Sequence, residues 1–358
     1  MTDQPLSLMP ISCAEVVPEP YDRQALAKRA IGDLLSRRST VALDLGALDT
    51  DITSAFSGGG DLASSSFRGL LDHRCAVTHS LGLVDAQIEY TLYDLCGTLD
   101  DPQDVETYDG TLGVSREFVG MHEGPVGQLV WLDDLPQRFS GANDDPGTVN
   151  GQRWGTGALI ADDLFLTAGH CFQPDPLRWK VPRQNGIAIT AEEIAQLMCV
   201  RFNYQKNGIT GRIRPIAVFP VLALLECSAS DLDYAIVKLG PDSLGRLPGS
   251  DELYGKLTVA TNHCPAKNDI LCIIQHPNGN EKKVEAGHLL DIRDGRLAYS
   301  DIGTFGGASG SPILYKKTGE KTGEIVGVHV KGGSLPIGGF NSGTAIGAIR
   351  AVSKLIPG

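Results

Sequence analysis

The chain has 358 residues, too many for one small domain, and its 42% hydrophobic and 21% charged content is the ordinary mix of a globular protein. Its net charge of −12 is concentrated: residues 1–112 hold 18 acidic and 7 basic residues, a net of −11, and the rest is close to neutral. Neither part has the basic excess of a nucleic-acid binder, no apolar run reaches the roughly 18 residues of a membrane span, and the first 20 residues lack the basic start and apolar core of a secretory leader.

Residues 1–20 carry Pro5, Pro10, Pro18 and Pro20 and read as loosely packed. Leu26, Ala30, Ile31, Leu34 and Leu35 fall at helical spacing and predict a helix over 21–38. Residues 39–64 show no clear pattern, and Gly58-Gly59-Gly60 marks a loop. Two more helical stretches follow, 65–80 (Phe67, Leu70, Leu71, Cys75) and 84–97 (Ile88, Leu92, Leu95). The first third is thus a small helical region without a catalytic motif; His73 and His79 read as surface or core residues. Its acidity serves solubility or the docking of a basic partner. Residues 98–114, rich in Asp and turn formers, read as a linker.

From about 115 the pattern changes to short strands separated by Gly, Pro and Asp turns, the mark of a mainly-β sandwich or barrel. Strands are expected over 126–132, 157–160, 164–167, 200–204 and 270–274. A short helix is expected at 191–198, and a last strand and packing helix over 343–355. Eight cysteines allow too many pairings to deduce one. Cys264 and Cys272 with His263 match no standard zinc spacing, so no metal site is assigned.

The chemistry centres on Gly306-Gly307-Ala308-Ser309-Gly310-Ser311-Pro312. Glycines let the backbone turn sharply and present one serine hydroxyl, and the N–H groups of Gly307 and Ser309 can converge on a developing oxyanion. A serine needs a base. Upstream stand Leu166-Thr167-Ala168-Gly169-His170-Cys171 and, between the two motifs, Asp231-Leu232-Asp233-Tyr234-Ala235.

His, Asp and Ser in that order, within these motifs, resemble the chymotrypsin-fold (trypsin-like) serine peptidases. The resemblance covers about the last two-thirds of the chain. It implies two six-stranded antiparallel barrels over 113–358, with residues 1–112 as a helical regulatory, adaptor or pro-region. It implies His170 as base, Asp233 as its orienting partner, Ser309 as nucleophile and no cofactor. Asp231 is the rival to Asp233, on the same face if this segment is a strand. The turn Gln275-His276-Pro277-Asn278-Gly279 is similar to one in bacterial glutamyl endopeptidase-like enzymes, and His276 reads as a turn residue. In those enzymes a threonine and a histidine at the places of Thr304 and His329 bind an acidic side chain. Gly303 stands where trypsin-like enzymes carry the aspartate that selects Lys or Arg.

Two departures matter. Cys171 has no cysteine on the preceding strand to pair with, which fits a reducing, cytoplasmic setting. Ala308 stands where zymogen-type relatives carry an aspartate, so activation through a new N-terminus is not expected. Control then falls to residues 1–112, with self-cleavage after Glu106, Glu117 or Glu123 as one route. The expected partner is a protein or peptide substrate, with a protein partner for the acidic region and neither nucleic acid nor membrane. The other reading is a catalytically silent binding module built on the same fold.

Overall fold

A computed structural model of the chain describes residues 23–57, 69–70, 73–74, 77, 102–174, 176, 179–250, 253–261, 264–299, 302–316, 323–332 and 341–357. The expected loose segment 1–20 and helix 84–97 lie outside these residues, as does His79.

The first element is α1, Arg23–Ser57, far longer than the helix expected over 21–38. Its second half hides its periodicity behind hydroxyl residues. Ser39, Thr40, Thr50, Thr53 and Ser54 each donate to the carbonyl four residues earlier and so satisfy themselves inside the helix. Val41, Leu45, Leu48 and Ile52 share its less exposed face. Gly69, Leu70, His73, Arg74 and Val77 are helical too, and Arg74 pairs with Asp49 of α1.

Two closed antiparallel barrels follow. Barrel one takes the order β2 (Val126–Trp131), β3 (Arg153–Leu159), β4 (Leu164–Thr167), β9 (Tyr234–Leu239), β8 (Ala217–Ser228) and β7 (Met198–Phe202), β7 closing onto β2. Barrel two takes the order β11 (Lys283–Arg293), β10 (Ile270–Gln275), β13 (Pro312–Tyr315), β14 (Glu324–Lys331), β15 (Asn341–Ala345) and β12 (Arg296–Tyr299), closed by β12 on β11. The expected chymotrypsin-like, mainly-β architecture preceded by a helix is therefore what the chain adopts.

The cores follow from the strand patterns. In barrel one, Phe202 stacks on Tyr254 at 4.8 Å and meets Phe165 and Phe219 edge-on. In barrel two, the unbroken apolar run of β10 is buried on both faces, with Leu271, Ile273, Leu289, Leu297, Ile313 and Val328 fully covered. The short helix α2 (Arg116–His122) is capped by the Ser115 hydroxyl and tied to barrel two, where His122 Nε2 accepts from Gly323 N–H at 2.9 Å. Helix α3 is the single turn Leu135–Arg138. The small hairpin β5 (Arg183–Gln184) and β6 (Ile187–Ala188) precedes α4, Ala191–Gln196, which opens with a capping box between Thr190 and Glu193. The chain closes with α5, Ile346–Arg350, which buries Ile349.

Of the expected linker at 98–114, residues 98–101 lie outside the described residues and the rest is not a linker. Gln103–Asp104 forms β1, which pairs with Val284 and Lys283 of β11. Val105 and Tyr108 are buried in the core. Glu106 accepts from Arg214, from Gln205 Nε2 at 2.9 Å and from Gly208 N–H at 3.0 Å. Composition hid this because these Asp, Thr and Gly residues bond locally: Asp109 accepts from Thr111 N–H at 2.9 Å.

Candidate active site

β4 and β9 are antiparallel neighbours with Thr167 opposite Ala235, so the end of β4 abuts the start of β9. His170 sits three residues past Thr167, in the 3-10 turn Gly169–Phe172, and Asp233 two residues before Ala235. They meet as the register requires. Asp233 Oδ2 lies 2.8 Å from His170 Nδ1, and Asp233 Oδ1 accepts from His170 N–H at 2.8 Å. One carboxylate holds both the ring and the backbone of the same histidine. With Nδ1–H donating to Asp233, Nε2 is the lone-pair nitrogen that can take a proton.

Asp233 has φ +54, left-handed backbone ahead of β9. Strand alternation therefore does not carry from Asp233 back to Asp231. Asp231 is exposed, and its backbone carbonyl accepts from Arg296.

The Ser309 turn is packed against the same corner of barrel one. Thr156 N–H donates to Ser309 O at 2.8 Å. Gly310 has φ +90, and a Cβ there would lie 2.1 Å from Thr156 O and from Thr167 Oγ1, and 2.7 Å from Ala168 N. Only glycine lets the Ser309 turn approach the histidine turn this closely.

The peptide ahead of Gly307 is set from below. Asn278 N–H donates to Gly306 O at 2.5 Å. In a trans peptide the N–H points away from the carbonyl, so Gly307 N–H faces the other way. Gly307 has φ +92, and a Cβ there would lie 2.7 Å from His276 O. The Thr156 hydroxyl donates to Gly307 O at 2.7 Å and accepts from His276 N–H at 3.0 Å. Barrel one pins the turn itself: Gln128 Nε2 and an Arg153 guanidinium nitrogen both donate to Gly279 O, at 3.0 and 2.9 Å.

His276 is fully buried and stacked on Tyr204 with centroids 5.9 Å apart. Burial, then the Lys282 charge, push its pKa down to about 3, so it is neutral near pH 7. Lys282 is itself buried, donating to Glu123 O at 2.7 Å and to Glu123 Oε2 at 3.0 Å.

In barrel two, Thr304 and His329 are both buried. Gln275 Nε2 donates to Gly303 O and Asn341 Nδ2 to Ile302 O, each at 2.7 Å, and these fix the backbone leading to Thr304. The Thr304 hydroxyl has no hydrogen-bond partner among the described residues. His329 Nδ1 lies 2.5 Å from the Tyr299 hydroxyl. Burial, and second the charge on His170, push His329 down to about 3. Burial raises the Tyr299 pKa well above the usual phenol value.

Several contacts that shape the site were not found from sequence: no role was read for Thr156 in Trp154-Gly155-Thr156, for Asn278 within the Gln275–Gly279 turn, or for Tyr299 in Leu297-Ala298-Tyr299. Only tertiary contact marks them. Cys171, Cys199, Cys227, Cys264 and Cys272 are free thiols. Of the weak metal grouping, Cys272 is buried and Cys264 exposed, and His263 lies outside the described residues. No helix among the described residues is long and apolar enough to cross a membrane.

No curated protein matches the chain. Residues 155–328, a span that contains His170, Asp233 and Ser309, match the family model described as the trypsin-like peptidase domain.

Proposed function

We propose that the chain is a serine endopeptidase working through an acyl-enzyme. The observation that carries this is the double grip of Asp233 on His170 beside the Ser309 turn. In this mechanism His170 takes the Ser309 proton as the hydroxyl attacks the scissile carbonyl and returns it to the leaving amine. Asp233 holds the ring in the required tautomer and stabilises the imidazolium. Gly307 and Ser309 N–H hold the oxyanion, each donor worth roughly 2.7–4 kcal/mol in the transition state. Water then repeats the cycle on the ester. No step calls for a metal or a cofactor.

The acyl-side pocket is assigned to Thr304 and His329, with an acidic residue, Glu ahead of Asp, before the scissile bond. An unpartnered Thr304 hydroxyl and an imidazole already held by Tyr299 support it, since a carboxylate needs donors. A peptide set varied only at that residue tests the assignment; equal kcat/KM after Glu, Leu and Lys removes it.

Residues 1–112 are proposed to control the enzyme, in a cytoplasmic setting that the free thiols fit. Support comes from the attachment of residues 103–106 to both barrels, through β1 on β11, Lys283 to Asp104 at 2.7 Å, and Glu106 to Arg214. Glu106 and Glu123 are held in ion pairs, whereas Glu117 is exposed on α2, so self-cleavage is assigned to Glu117. An identical fragment pattern in wild type and Ser309→Ala would remove self-processing. A shortened chain has to keep residues from 102 onward to keep β1; equal activity of 102–358 and the full chain would remove the control role.

A further inference from the structure

The chain has three tryptophans, and all three form one edge-to-face series. Trp131 meets Trp154 with centroids 5.8 Å apart at 87°, and Trp154 meets Trp179 at 5.7 Å and 66°. Trp131 is buried at 1% exposure, Trp154 is half-buried and Trp179 is 40% exposed. The series runs from the core of barrel one to the surface and ends on an open ring.

It surfaces beside the catalytic turns. Trp154 Nε1 donates to the carbonyl of Cys171, the residue after His170, at 2.9 Å. Two residues along β3, Thr156 N–H holds Ser309 O at 2.8 Å. Trp154 is the extra residue where the register of β3 against β2 shifts, directly ahead of Gly155 and Thr156. A Cβ at Gly155 would lie 3.1 Å from both Cys171 Sγ and Ser309 O. Trp154 therefore stands at the seam of the histidine and serine turns, on barrel one. The acyl-side pair, Thr304 and His329, belongs to barrel two.

We propose that Trp154 and Trp179 form a subsite for the leaving-group side of the substrate, taking an aromatic side chain within the first two residues after the scissile bond. This rests on the serine endopeptidase reading, because the leaving amine collects its proton from His170 and so crosses the cleft on the side of that residue. Aromatic rings pair edge-to-face at centroid distances of about 4.5–7 Å. A substrate ring extends the existing series by one member and covers the open face of Trp179. A small side chain gains neither, and a cationic one gains only the weaker attraction of an exposed ring face.

All tryptophan emission of the chain comes from this series, which gives a readout independent of turnover. Full-length Ser309→Ala is titrated with the peptides Phe-Ala-Ala, Ala-Ala-Ala and Lys-Ala-Ala, which stand in for the leaving segment. The expected result is a saturable blue shift with the Phe peptide at roughly tenfold lower concentration than with the other two. The Trp179→Ala variant loses this difference and Trp179→Phe retains it. In the wild type, substrates with Phe after the scissile bond are cleaved roughly tenfold more efficiently than those with Ala.

Cleavage that is indifferent to this residue, with no selective shift, overturns the subsite and leaves the peptidase standing. Selective binding without any cleavage removes the peptidase reading and keeps the aromatic subsite. A blue shift that appears on raising protein concentration alone assigns the open ring to a second copy of the chain and overturns the proposal.

Discussion

The Tyr299 hydroxyl lies 2.5 Å from Nδ1 of His329, and both side chains are buried. A hydroxyl can donate to the neutral ring or accept from the charged one. With Tyr299 donating to Nδ1, the ring proton sits on Nε2. The same contact holds the ring in either protonation state. Replacing Tyr299 by Phe leaves Nδ1 buried without a partner, a cost of about 1–3 kcal/mol. We expect kcat/KM for Glu substrates to fall roughly tenfold or more, with less effect on a Gln analogue. An equal loss on both would make Tyr299 a packing residue only.

The charge state of His329 gives a pH signature. The titratable groups around it are Tyr299, His170 and Asp233; burial and the His170 charge hold its pKa down to about 3 in the free enzyme. In the proposed acidic-residue pocket, a substrate carboxylate favours the imidazolium and raises that pKa. Binding Glu therefore takes up a proton where binding Gln does not. The ratio of kcat/KM for Glu over Gln should fall as pH rises between the pKa of free His329 and that of the complex, by up to tenfold per pH unit, and level off above the latter. A ratio independent of pH between 5 and 9 would separate His329 from the carboxylate.

Thr156 Oγ1 joins His276 N–H to Gly307 O and so sets the turn that carries the proposed oxyanion donor Gly307. Thr156→Val keeps the shape and deletes both bonds. The expected loss is in kcat, about 10- to 100-fold and below the ~10²–10³ of deleting a donor outright, with KM little changed. Thr156→Ser restores most of it. A change in KM alone would place Thr156 outside oxyanion stabilisation.

The ion pair of Lys282 with Glu123 is asymmetric, because the Lys282 side chain is 0% exposed and that of Glu123 is 21% exposed. Removing the carboxylate strands a buried ammonium, at about 3 kcal/mol. Glu123→Gln should therefore destabilise more than Lys282→Met, which removes the charge and keeps the volume. Urea midpoints in the opposite order would contradict this.

Acid should loosen the fold before it protonates the ordinary carboxylates. His276 and His329 are held down to about 3 from an ordinary 6.5, so between those values the unfolded chain binds more protons than the folded one. Stability is complete above pH 6.5 and declines as pH falls, by up to about 1.4 kcal/mol per unit for each histidine. His276→Gln should flatten that slope in chemical denaturation.

Much of this was legible in the sequence because the motifs are local. His170 and Ser309 each sit in short turns where glycine is required, and short strands between Gly, Pro and Asp turns announced a sandwich or barrel. What was hidden depends on contacts remote in sequence. Thr156 touches Gly307 across 151 residues and Tyr299 reaches His329 from another strand. The second half of α1 escaped because its hydroxyl residues mask the helical period, and β1 because an Asp-rich segment reads as solvent-loving until Val105 and Tyr108 are seen in the core. The resemblance favoured Asp233 over Asp231, and Asp233 reaches His170 through a left-handed backbone that no strand rule anticipates.

The central claim is that Ser309 is activated by His170 as held by Asp233. The most direct measurement is intact-mass analysis of the full chain after exposure to a fluorophosphonate, beside Ser309→Ala and Asp233→Asn. The account predicts one adduct on wild type at Ser309, none on Ser309→Ala, and labelling slowed by orders of magnitude in Asp233→Asn. A folded wild type that takes up no adduct, or labels no faster than Ser309→Ala, would contradict it.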